Sequence, residues 1–129
     1  MSRGHGMTLC ALLLASTVTL AAAPEYPVKD SVEASIIRGG VVFQHYCILC
    51  HGAKGDGTGR AAKLYDPKPA NLVMSNKNDQ YKELIIRMGG KAMGRSEFMP
   101  SWGNELTNEQ IADVISHLRS IRSPAVVMP

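Results

Sequence analysis

Cys47, Cys50 and His51 have the side-chain types and the spacing to do chemistry. Two cysteines three positions apart, with a histidine directly after the second, match the C-x-x-C-H pattern through which a haem is attached covalently. Each thiol adds across one vinyl group of the macrocycle, and the Ile48-Leu49 spacer then sets the His51 imidazole under the iron. Three other readings compete. A thioredoxin-like disulfide between the two cysteines wants a βαβ context, which this chain lacks. A zinc centre needs a second ligand pair, and no further C-x-x-C or H-x-x-x-H follows. The third is chance recurrence of a short motif.

The segment before the motif must deliver it. Residues 24–30, with Pro24 and Pro27, form an extended lead-in, because proline disfavours helix in the residue before it. Asp30 followed by Glu33 has the form of a capping box. Val32, Ile36, Gly40, Phe43 and Cys47 then recur at helical spacing, which predicts a helix from about Ser31 to Tyr46. Gly39-Gly40 in its middle costs roughly 1 kcal/mol per glycine relative to alanine. That cost makes sense where a second helix crosses closely. His45 falls off the cysteine-bearing face and reads as a surface residue.

After His51 the chain turns through Gly52, Gly55, Gly57 and Gly59. The spacing fails both the P-loop and the dinucleotide patterns; it suits backbone turning closely around a flat cofactor. Arg60 is a candidate partner for a haem propionate. The Leu64–Leu72 stretch contains Pro67 and Pro69, which leave carbonyls free to accept. A metal-ligating histidine nearly always donates its second ring N–H to such an oxygen, and the Pro69 carbonyl is preferred over that of Pro67. Leu72 is expected on the haem face.

Further along, Asn78 or Asp79 can cap a short helix from Tyr81 to Met88, with Leu84, Ile85 and Met88 forming its apolar side and Gly89-Gly90 ending it. A flexible 91–96 segment leads to Phe98-Met99-Pro100-Ser101-Trp102. With the cysteines used, methionine is the expected second iron ligand, and a thioether raises the reduction potential. Met88 is assigned to the core and Met128 to the tail. Met93 and Met99 lie in loop, and Met99 is preferred because Pro100 fixes its backbone and Trp102 can shield the ring. Thr107 and Gln110 form another capping box. Ile111, Val114, Ile115, Leu118 and Ile121 follow as a helical stripe that ends at Ser123-Pro124, with His117 expected on the polar face.

Composition narrows the classes further. The 129 residues suit one domain. The net charge of +3 is mild and its cations are scattered, which argues against nucleic acid. Residues 1–23 read as a signal peptide: Arg3 opens it, Thr8 to Leu20 is apolar, and Ala21-Ala22-Ala23 offers a cleavage region. Cys10 would leave with it, and no segment long enough to span a bilayer would remain. Export to the periplasm is therefore expected.

With these pieces in order, the chain resembles the class I bacterial c-type cytochromes, over about residues 31–123, followed by a 124–129 tail. The resemblance rests on Cys47-Ile-Leu-Cys50-His51-Gly52, on Gly40 and Phe43, on Pro69-Ala-Asn-Leu72, on Met99-Pro100 and on His117-Leu118. It implies an all-α fold of about three to five helices around one haem c, with its iron between His51 and Met99. It also implies that the first and last helices cross near Gly40 and Phe43, where the family often has an aromatic in place of His117. The implied role is one-electron transport between a dehydrogenase or reductase and an oxidase or other acceptor, with no catalysis. The alternatives are a subunit of a larger oxidoreductase and, less favoured, a haem enzyme with an open distal site.

Overall fold

Ser31 opens the first helix, α1, which spans Val32–Tyr46; its hydroxyl accepts from the Ala34 N–H at 3.1 Å. The capping box predicted on Asp30 and Glu33 does not form, because the chain turns one residue later and the serine takes the cap. This computed structural model describes residues 27–124, together with Met1. The predicted signal peptide with Cys10, its cleavage region, residues 24–26 of the lead-in, and the tail with Met128 lie outside the described residues.

α1 runs unbroken through Gly39-Gly40. Its buried face consists of Gly39, Val42 and Phe43, while Val32 at its open end is exposed. The Cys47 N–H closes the helix on the Phe43 carbonyl at 2.9 Å, and one further turn, α2 (Ile48–His51), follows directly. A 3-10 turn at Ala62–Leu64 precedes the proline stretch.

α3 (Asp79–Ala92) is capped by the Asn78 side chain, which accepts from Tyr81 N–H at 2.8 Å. Gly89 breaks its helical geometry with φ 79°, a conformation that an L side chain resists. The predicted stop at this glycine pair is therefore a kink, and another helical turn occupies the start of the 91–96 segment. The apolar side predicted from Leu84, Ile85 and Met88 is not the buried one. Lys82, Ile86, Gly89 and Gly90 are buried instead, and Met88 is 49% exposed. The two sets are neighbouring faces of one helix, and packing against the last helix and the 96–101 segment selects the second.

α4 (Asn108–Ser120) begins with a complete Thr107–Gln110 capping box, as expected. Its stripe of Ile111, Val114, Ile115 and Leu118 is buried and joins Val42, Phe43, Ile86 and Leu106 in one core. Full burial of side chains such as Phe43 and Ile111 contributes roughly 1.5–3 kcal/mol each. Among the described residues there is no strand, so the fold is all-α.

The crossing of α1 over α4 dominates the packing. A methyl group on Gly39 would overlap the Asp113 carbonyl, so the two backbones approach closely at Gly39. Gly40 instead faces the His117 ring. That ring is half-buried and lies 5.3 Å from the Phe43 centroid, not on the polar face expected from the sequence. Desolvation holds the His117 pKa below the usual imidazole range.

Candidate functional site

α1 and α2 place Cys47 at their junction and Cys50-His51 one turn later. Both thiols are free and half-buried. Desolvation, reinforced by Cys50, pushes the Cys47 thiol up to about 12, so it is held as a neutral S–H. The glycine loop wraps back on this turn. Gly57 N–H donates to the His51 carbonyl at 2.8 Å, Gly59 N–H to Cys50 at 3.2 Å, and Ala61 N–H to Leu49 at 2.9 Å. A tether point is thereby fixed from both sides.

His51 Nδ1 lies 3.0 Å from the Ala70 carbonyl, not from that of Pro69 or Pro67. Donation to that oxygen puts the proton on Nδ1 and leaves Nε2 with its lone pair, the form in which imidazole binds metals. Burial lowers the His51 pKa, against the opposing pull of that hydrogen bond, and so favours the neutral ring. The acceptor is Ala70, one residue after the expected Pro69. Pro69 is half-buried beside this contact, and its carbonyl faces Gly57. Leu72 closes the same wall, with its N–H on the Gly55 carbonyl at 2.7 Å.

The second wall is the 96–102 loop, which folds against the kink in α3. Gly90 N–H donates to the Met99 carbonyl at 2.8 Å and Trp102 N–H to that of Ile86 at 2.8 Å. A side chain on Gly89 would meet Met99 and Pro100, so the kink and the methionine loop depend on one another. Met99 and Trp102 are half-buried and pack on the core together with Cys47, Ile48 and Leu72. Met93 caps the end of α3, and Met74 is exposed. Two aromatic contacts link the walls, neither of them read from the sequence. Trp102 lies edge-on to Tyr46 at 5.3 Å, and Phe98 lies 4.9 Å from Tyr65. Arg60 is exposed and lines an open cleft with Ile48, Leu49 and Lys54.

Residues 34–118 match the family described as cytochrome c oxidase, cbb3-type, subunit III. The chain belongs to this c-type cytochrome family. A relative, the cytochrome c subunit of the alcohol dehydrogenase (quinone) of Gluconobacter oxydans (strain 621H), is 27% identical over 86 residues. That alignment takes in 63% of this chain and 17% of the relative, so the cytochrome spans under a fifth of that protein's length. The family implies haem c, and the residues present fit it. Two free thiols sit at the attachment spacing, one imidazole is held in its metal-binding form, and Ile48, Leu72, Met99 and Trp102 stay half-buried against the core. Leu49, Leu64, Met88 and Phe98 are exposed apolar side chains. Among the described residues no three of His, Cys, Asp and Glu gather as a zinc centre would require. No helix among them is long and apolar enough to cross a membrane.

Proposed function

We propose that this cytochrome is an exported, periplasmic, single-haem carrier of one electron at a time, with no catalytic activity of its own. It would take that electron from a dehydrogenase or reductase and pass it to an oxidase or another acceptor. Haem c, when bound, supplies iron that alternates between the ferrous and ferric states. The chain's part is to hold it: Cys47 and Cys50 by thioether bonds, His51 by Nε2 and Met99 by its sulfur. The Ala70 carbonyl keeps the imidazole oriented, and Trp102 limits access of water to the methionine side. The observation that supports this reading is the hydrogen bond from His51, in the C-x-x-C-H turn, to the Ala70 carbonyl, which leaves the other ring nitrogen free to bind a metal. With His51 and Met99 both holding the iron, no substrate would need to bind and little would have to rearrange.

The test is spectroscopic. The exported protein should keep a haem stain after denaturing electrophoresis, and its ferric form should be low-spin with the charge-transfer band of methionine ligation. Met99→Ala should abolish that band and lower the potential, whereas Met93→Ala should leave it in place. A high-spin ferric spectrum in the parent protein would instead indicate an open distal site and an enzyme.

A second reading follows from the relative, which is named as the cytochrome c subunit of a dehydrogenase. Under it, this domain works as a fixed part of a larger oxidoreductase. Gel filtration of the protein purified from its own source separates the two readings, because a free carrier elutes alone.

A further inference from the structure

Where the first half of α3 meets the end of α4, two basic side chains each bury a nitrogen that has no hydrogen-bond partner among the described residues. Lys82 is 4% exposed, and its Nζ has no acceptor. Arg122, in the turn after α4, buries its Nε in the same state. Desolvation and the neighbouring Arg122 charge both lower the Lys82 pKa. The other charged groups facing Lys82 are Asp79 from its own helix and Arg119 from α4. They do not resolve the imbalance, because the Asp79 carboxylate is engaged by Arg119 at 2.7 Å. Buried charges in proteins are paired, so the unpartnered Lys82 ammonium, with the buried Nε–H of Arg122 beside it, calls for an anion with oxygen acceptors.

Their place in the fold indicates which anion. Ser123, next to Arg122, donates its N–H to the Val73 carbonyl at 2.9 Å, which ties this corner to Leu72 on the histidine wall. Ile86, one turn beyond Lys82, holds Trp102 through its carbonyl, and Trp102 touches Tyr46, the residue before Cys47. Along α3, Lys82 therefore stands on the side of Ile86 away from the cysteine end. In a haem the vinyl groups that react with thiols and the two propionates occupy opposite halves of the ring. Fixing the vinyl half at Cys47 and Cys50 directs the carboxylates away from them. We propose that Lys82 and Arg122 together receive a haem propionate, in place of the exposed Arg60. The inference rests on the haem reading above and names the residues that neutralise the cofactor's charge.

A paired propionate stays ionised, so the midpoint potential of the holoprotein should change little between pH 5 and 8. Lys82→Met leaves that carboxylate with less compensation and favours ferric iron. The ferric-to-ferrous ratio at a fixed potential should rise on the order of tenfold, about 59 mV for a one-electron couple, and a pH-dependent step should appear. Lys82→Arg should restore both. Arg122→Gln should move the midpoint in the same direction and serves if Lys82→Met does not fold. Unchanged midpoints and pH profiles in both charge-removing variants, with haem content normal, would overturn this inference alone. So would a step that appears in Arg60→Ala instead. A merely structural lysine would lower stability without creating the pH step. Absence of covalent haem from the parent protein would overturn the functional reading as well.

Discussion

The crossing of α1 with α4 and the walls around Cys47 meet at α1 but satisfy their groups differently. At the crossing the protein completes itself. Asp113, 4% exposed, accepts from Ser35 at 2.7 Å and from Arg38 at 2.7 and 3.0 Å. Around the cysteines the thiols are free, one imidazole nitrogen is left over, and apolar side chains remain half-buried or exposed. One region is a scaffold whose contacts are all its own, and the other is shaped for something added. Changes in the first should therefore act on stability, and changes in the second on the bound group.

The largest effect expected of the scaffold comes from Gly39→Val. The new side chain must push α4 away from α1, and overpacking of this kind costs about 3 kcal/mol or more. Denaturant titration should show that loss, while the fraction still folded keeps the methionine band of the parent. Loss of the band at native stability would break the proposed separation.

Next comes the acid limb of the crossing. Burial alone would raise the Asp113 carboxyl, but hydrogen bonds from Arg38 and Ser35 outweigh it and hold the pKa below the usual carboxylate value of 3.8. A group depressed in the folded state contributes stability above its unfolded pKa and loses it as pH falls through the folded one. Thermal unfolding between pH 5 and 2 should therefore show a decline that Asp113→Asn, less stable at neutral pH, largely lacks. A parallel decline in both proteins would assign the acid sensitivity elsewhere.

The smallest effects are at the caps. Thr107→Ala and Ser31→Ala should each cost about 1 kcal/mol, whereas Asp30→Ala should stay within about 0.5 kcal/mol. Equal losses at Asp30 and Ser31 would contradict the observed start of α1.

The helices themselves were readable from the sequence where pattern and punctuation agreed. α4 combines a capping box with an uninterrupted apolar stripe, and both appear as expected. On α3 the spacing identified which residues share a face but not which face meets α4. Lys82 stands four residues before Ile86, a placement that puts a charge on the buried side, yet a lysine on a polar-looking segment gives no such signal. Asp113 was missed for the same reason: its partners Ser35 and Arg38 lie far away in the chain. The cysteine–histidine motif was legible because its chemistry is local. The acceptor for His51 was placed one residue early because proline predicts available carbonyls without saying which of them points inward. The aromatic contacts of Tyr46 with Trp102 and of Tyr65 with Phe98 depend on the fold having closed.

The clasp between Ser35 and Asp113 joins residues 78 positions apart, which bears on the order of events during synthesis. α1 has no lasting partner until the chain has been made to about Leu118, so the domain must wait for nearly its whole length before it can close. Until then Cys47 to His51, immediately downstream of α1, stay on an open chain. A maturation enzyme that must reach both thiols would have that interval in which to act.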